Sequence, residues 1–251
     1  MPVYTSDALI LRTYKLGESD RIVVFLTKDR GKKRGVAKGA RRPRSRFVGS
    51  LEPMTLGGVA YFEKETRELV SINYVETVRS PLAMASPEAL GHVEYFAELI
   101  DEWSPENDPN ERLYRLGAAL VEALSAGVPV DPLARYFEYW LLRLQGVYPS
   151  ALTCHRCGSV LEEAWLRPDD RVFSCGDCVS AAGGAASARG AMLSAQAMGF
   201  LRLASSLSPD RLGEMTLPSG AGRELEAVHR ALITTHLEKE LRSSRVLRQL
   251  G

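Results

Sequence analysis

The feature that most narrows the fold is a change of hydrophobic period at Pro81. Before it, apolar residues come in short runs rich in β-branched and aromatic side chains. Ala8-Leu9-Ile10-Leu11-Arg12-Thr13-Tyr14 and Ile22-Val23-Val24-Phe25-Leu26-Thr27 are the clearest, bounded by turn-like Gly17-Glu18-Ser19-Asp20 and Lys28-Asp29-Arg30-Gly31. Lys33 to Lys38, Thr55 to Phe62 and Leu69 to Val78 are three further strand candidates, with Glu63 to Arg67 turning the last hairpin. Five strands in about 80 residues without a long helix describe a small barrel. The five-stranded OB-fold is the expectation, and an SH3-like barrel is its competitor.

After Pro81 the period becomes 3.6. Ser86-Pro87-Glu88 reads as a helix start, with Ser as the cap and Pro at the first helical position. Ala89, Leu90, Val93, Phe96, Ala97 and Ile100 follow on one stripe. A second helix runs from about Asn110 to Gly127. A third opens at Asp131-Pro132 and is apolar almost all round, which places it at the centre of its domain. Two more are expected near Ser194 to Ala204 and Arg223 to Leu241, while Ser180 to Gly190, rich in Ala, Gly and Ser, reads as a flexible connection. The expected organisation is α+β and multidomain: a barrel over residues 1–80, then a helical domain over 81–251 with an insertion at 150–180.

That insertion holds all four cysteines. Cys154-His155-Arg156-Cys157 and Cys175-Gly176-Asp177-Cys178 form C-x2-C-x17-C-x2-C, the spacing of a four-cysteine zinc ribbon. Each pair sits on a tight knuckle, and the residues between bring the knuckles together. Four thiolates close the tetrahedron and leave no position for water or substrate, so one structural Zn²⁺ is expected. Iron–sulfur ligation is the alternative, and His155, between two ligands, is expected to be exposed. The residues between the knuckles are net acidic, which favours a staple over a nucleic-acid surface.

The chain carries 32 Lys plus Arg against 31 Asp plus Glu, a formal net charge of +1. This balance hides two halves. Residues 1–80 hold 6 Lys and 10 Arg against 9 acidic residues, a net of +7, which leaves −6 for the rest. From Lys28 to Arg46 there are ten basic side chains and one acidic one, Asp29, interleaved with Gly and Ala. Small residues let a backbone approach a phosphate and Lys or Arg neutralises it, so this segment reads as a nucleic-acid contact. Phosphate-binding candidates are Lys32, Lys33, Arg34, Lys38, Arg41, Arg42, Arg44 and Arg46, with Arg12 and Arg21 weaker. Phe47, Tyr61 and Tyr74 are candidates to stack bases or to fill the barrel core.

Motifs for catalysis are missing. Gly31-Lys32-Lys33 lacks the rest of a P-loop, and neither H-E-x-x-H nor G-x-S-x-G occurs. His229 and His236, seven apart on one helix face, offer a weak metal pair, with buried and satisfied side chains the preferred reading. A binding protein is therefore expected rather than an enzyme. No run approaches the ~18 apolar residues of a membrane helix, nor is the start a secretory signal, so a cytoplasmic location is expected.

Gly17-Glu18-Ser19-Asp20-Arg21-Ile22-Val23, Gly35-Val36-Ala37-Lys38-Gly39-Ala40-Arg41-Arg42-Pro43-Arg44-Ser45-Arg46-Phe47 and Leu51-Glu52-Pro53 together resemble the N-terminal signature of the bacterial RecO family. The helical half resembles it in layout, with the cysteine pairs where such proteins carry them. The resemblance implies an OB-fold followed by a helical domain, and a nucleoid-associated recombination mediator that is monomeric alone. Such a protein binds single- and double-stranded DNA and anneals complementary strands without ATP. With RecR, and in some settings RecF, it assists RecA loading on strands coated by single-stranded-DNA-binding protein (SSB). Arg242, Arg245 and Arg248, at spacing three near the end, are candidates to receive the acidic SSB tail or form a solvated helix end favoured by the helix dipole. An RNA-binding translation module and a zinc-stapled nuclease are the alternatives from other classes.

Overall fold

The period-two runs upstream of Pro81 become five strands: β1 (Val3–Leu16), β2 (Asp20–Thr27), β3 (Gly31–Ala37), β4 (Leu56–Phe62) and β5 (Val70–Arg79). In the computed structural model, which describes residues 3–64, 66–83, 87–149, 153–167, 171–182 and 191–250, they close in the order β1-β2-β3-β5-β4. Every contact in the ring is antiparallel except β3 with β5, where Gly35 to Ala37 run parallel to Val70 to Ile72. This is the OB-fold expected from the sequence, and its topology sets the SH3-like competitor aside. Alternation points Ala8, Ile10, Val23, Phe25, Val59, Tyr61 and Ile72 into the barrel core. A bulge between Ile10 and Arg12 then puts Arg12 opposite Val24 and Tyr14 opposite Ile22, on the outer face.

Downstream come α1 (Pro87–Glu102), α2 (Glu111–Ser125), α3 (Val130–Leu144), β6 (Ala164–Arg167), β7 (Val172–Ser174), α4 (Gly176–Ala181), β8 (Met192–Leu193), α5 (Ala195–Ala204), α6 (Ser219–Leu237) and α7 (Arg242–Leu250). Asn110 caps α2 by accepting from the Leu113 N–H, and Ser194 caps α5 by accepting from Ala197. The expected Ser86 cap and most of the Ala/Gly/Ser-rich connection, residues 183–190, lie outside the described residues.

Packing groups the chain into two compact units, one ending at Gly127 and regaining the chain from Leu241 onward, the other Val128–Glu240. Secondary structure changes type at Pro81, but the first unit keeps α1, α2 and α7 with the barrel. The cause is apolar burial: Leu9, Leu11, Leu26, Leu99, Ile100, Leu113 and Leu120 are all almost fully buried. At Gly117 of α2, an added Cβ would stand 2.8 Å from Leu9 Cδ2, so the helix lies close on β1. Glu98 of α1 accepts from the backbone N–H groups of Arg242 and Ser243, capping α7 from a different helix.

In the second unit α3 is central, as its all-round apolar pattern predicts: Leu133, Phe137, Leu141 and Leu142 are fully buried. Tyr136 and Trp140 donate to the backbone oxygens of Leu207 and Ala204. Strands β7-β6-β8 form a small antiparallel sheet beside the cysteines. No helix among the described residues is long and apolar enough to cross a membrane.

Candidate nucleic-acid interface and metal centre

Strand parity splits the basic segment. Along β3, Gly31, Lys33, Gly35 and Ala37 are buried while Lys32, Arg34 and Val36 are partly exposed. Lys33 is paired with Phe25 of the barrel core, and its ammonium lies 2.8 Å from Glu63 Oε1. Lys32 faces outward, but its Nζ lies 2.8 Å from Asp101 Oδ1 and donates to the Asp101 carbonyl at 2.7 Å. Asp101 also binds Arg12 Nε at 2.6 Å. Arg34 makes a longer, exposed pair with Glu106 at 3.6 Å. Arg21 donates to Thr13 Oγ1. The β3 cations are thus matched by carboxylates.

The cations that follow are not. Residues 38–50 run as successive tight turns, with Arg42 donating to Gly39, Ser45 to Arg42 and Ser50 to Phe47. Phe47 anchors this loop in the barrel core. On the other side the loop is tied to the β1–β2 hairpin. The Arg41 N–H donates to Ser19 O, its guanidinium to the carbonyls of Gly17 and Glu18, and the Gly39 N–H to Asp20 Oδ1 at 2.8 Å. The Gly39 N–H and then the Ser19 hydroxyl hold the Asp20 carboxyl below its ordinary value. Carbonyl contacts leave the charge of Arg41 in place. Lys38, Arg42, Arg44 and Arg46 are exposed and form no ion pair with a described residue, although Lys38 and Arg42 lie in the field of Asp20.

Gly31 and Gly35 answer to internal constraints rather than to a phosphate. Gly31 (φ +71°) lies so close to the Asp108 backbone that a Cβ would meet its oxygen at 2.3 Å. At Gly35 a Cβ would meet Ile72 and Val70 at 2.7 and 2.8 Å. Among the aromatic candidates, Phe47 and Tyr61 are core residues and only Tyr74 is exposed.

The cysteines converge. Cys154, Cys157, Cys175 and Cys178 place their Sγ atoms within 4.8 Å of one another, with Cys157 and Cys175 3.7 Å apart. A tetrahedral ion with metal–sulfur bonds of about 2.3 Å requires sulfurs about 3.8 Å apart, so the set fits one ion. Burial pushes the Cys154 thiol up, but N–H groups of Cys157, Cys175 and Arg156 outweigh it and bring it down to about 6. The neighbouring sulfurs of Cys157 and Cys175 push Cys178 up to about 12. Four thiolates together therefore need a cation to offset their repulsion. The His155 side chain is exposed, as its position predicts, and its backbone N–H donates to Phe173 O of β7.

A family model described as Recombination protein O N terminal matches residues 1–81, and one described as Recombination protein O C terminal matches 84–245. The chain belongs to the RecO family. Among similar proteins, DNA repair protein RecO of Anaeromyxobacter sp. (strain K) is 34% identical over 257 residues, covering 97% of this chain and 95% of that protein. Its counterpart from Koribacter versatilis (strain Ellin345) is 39% identical over 172 residues, 67% of this chain and 66% of that protein. That from Desulforudis audaxviator (strain MP104C) is 32% identical over 256 residues, covering 100% and 98%.

Within this RecO-family chain, the arginine row near the end lies on α7, where the Arg242 N–H is bound by Glu98; the Arg248 side chain lies outside the described residues. His229 is fully buried and bonded to Glu138 and Tyr148, which fits the satisfied reading rather than a metal pair with His236, an exposed residue. Sequence reasoning missed Asp101 and Asp20, the carboxylates that bind Lys32 and the Gly39 N–H. Asp101 stands 69 positions beyond Lys32, and no local pattern signals such a pair.

Proposed function

We propose that the chain is a recombination mediator whose barrel binds single- and double-stranded DNA and anneals complementary strands without ATP. The observation that carries this reading is the loop of exposed Lys38, Arg42, Arg44 and Arg46, none of which forms an ion pair with a described residue, held by Arg41 and Phe47 on an OB barrel of the RecO family. Pinned at both ends, the loop presents its cations with little ordering left to do on binding. Phosphates exchange their counterions for these side chains, which gives affinity independent of sequence. Two strands screened by one protein repel each other less, and annealing requires that.

The same reading has the chain act with RecR, and with RecF, in loading RecA onto SSB-coated DNA, with the acidic SSB tail received near Arg242, Arg245 and Arg248. The cysteine centre would hold one structural Zn²⁺ through Cys154, Cys157, Cys175 and Cys178. All four positions are thiols, so the ion would staple β6, β7 and α4 without reaching a substrate. The reading assigns no catalytic residue. The test is annealing of complementary oligonucleotides coated with SSB, with and without RecR and without ATP. Faster annealing than by SSB-coated strands alone is expected, and no acceleration under any of these conditions overturns the reading.

A further inference from the structure

Outside the loop, the outer face of β1, β2 and β3 carries a cleft of about 400 Å³. Its floor is apolar: Ile22 and Val24 of β2. Tyr14 forms one wall and is 41% exposed. Register places Tyr14, Ile22 and Val36 in one row across the three strands and Arg12, Val24 and Arg34 in the next. The first row leads along β3 to Lys38, where the basic loop begins. An aromatic wall, an aliphatic floor and flanking guanidinium groups make a surface for a flat, polarisable ring attached to an anion.

The wall is also held in place. Asp101, only 3% exposed, grips Arg12, and the Arg12 guanidinium lies over the Tyr14 ring at 5.1 Å from its centre. Asp101 fixes Lys32 on the opposite side of the cleft. Arg34 is only loosely held, since its pair with Glu106 is exposed and spans 3.6 Å. Tyr74 is exposed as well, but its nearest exposed neighbours on β5, Asn73 and Glu76, offer no cation.

We propose that this cleft is a single-strand-selective subsite, in which Tyr14 stacks one unpaired base and Arg34 takes the adjoining phosphate. A duplex keeps its bases inside the stack and cannot offer one to Tyr14, so the cleft adds affinity for single strands alone. The inference rests on the proposed DNA binding and names where strand discrimination arises.

The experiment compares the full chain with Tyr14→Ala and Tyr14→Phe by fluorescence anisotropy on a labelled 30-nucleotide single strand and on the matching duplex. Tyr14→Ala is expected to weaken single-strand binding by roughly 5- to 150-fold, the range of one lost base–aromatic stack, and to leave duplex binding within about twofold. Tyr14→Phe is expected to restore the single-strand affinity. Unchanged single-strand binding by Tyr14→Ala, or an equal loss on both DNAs, overturns the inference. An Arg42→Ala/Arg44→Ala variant run alongside separates the two claims. If it loses both DNAs while Tyr14→Ala loses neither, DNA binding by the loop stands and the stacking subsite falls. If the unmodified chain binds neither DNA, the function itself falls.

Discussion

At the scale of single residues, charge is not the same as available charge. Lys33 is as basic as Arg44 in the sequence, yet its side chain is spent on Glu63 in the wall of the barrel. Replacing Arg42 and Arg44 by Ala should weaken binding to all DNA and lower the salt slope by roughly 0.7–0.9 per lost phosphate contact. Lys33→Met should leave that slope unchanged and lower the melting temperature, because it strands Glu63. Titrations at several salt concentrations check both. His229 makes a second case. Burial, the largest influence, pushes its pKa below the ordinary 6.5, against the opposing pull of Glu138. The folded state therefore binds its proton more weakly than the unfolded chain. Its contribution to stability is complete above pH 6.5 and is lost as the pH falls from there toward the depressed value. The charged groups facing it are Glu138 and, through Glu138, Arg135 at 2.9 Å; Tyr148, also against the ring, stays neutral. His229→Leu should cost about 1–3 kcal/mol at pH 7.5, by leaving Glu138 short of a donor, and flatten the fall in stability between pH 6.5 and 5. Urea unfolding at both pH values measures this.

At the scale of elements, barrel closure depends on close approaches between strands. On β4, an added Cβ at Gly57 would stand 2.1 Å from the Glu76 carbonyl of β5, whereas at Gly58 it would meet nothing within 4 Å. Gly57→Ala should therefore cost about 1–3 kcal/mol and Gly58→Ala close to nothing, read as melting temperatures of adjacent variants. The existence and order of these strands was legible in the sequence, as were the helix starts at Asn110 and Ser194. The path of α7 was not. Its capping by Glu98 joins positions 144 and 145 residues apart, and no periodicity encodes a partner at that distance.

At the scale of the molecule, the two units carry separate cores, so unfolding is expected in two transitions. The cysteines belong to the second unit. Stripping the metal with a chelator should release one equivalent of Zn²⁺ and lower the transition of the unit holding residues 128–240 by roughly 10 °C or more. The barrel transition and duplex DNA affinity should stay where they are. Calorimetry with a colorimetric zinc assay checks all three, and Cys175→Ser should reproduce the chelator's effect.

What the sequence determined by itself was whatever is periodic or locally spaced. Alternation every two residues made five strands, apolar stripes made the helices, and the C-x2-C pairs brought four thiols to one point. These are short-range effects, set by backbone geometry and burial. The tertiary structure alone decided which cations remain available. Asp101 and Glu63 reach Lys32 and Lys33 across 69 and 30 positions, and the bulge in β1 aims Tyr14 outward. Electrostatic pairing depends on distance in space, and distance in space is settled only when the barrel closes and α1 is laid against it.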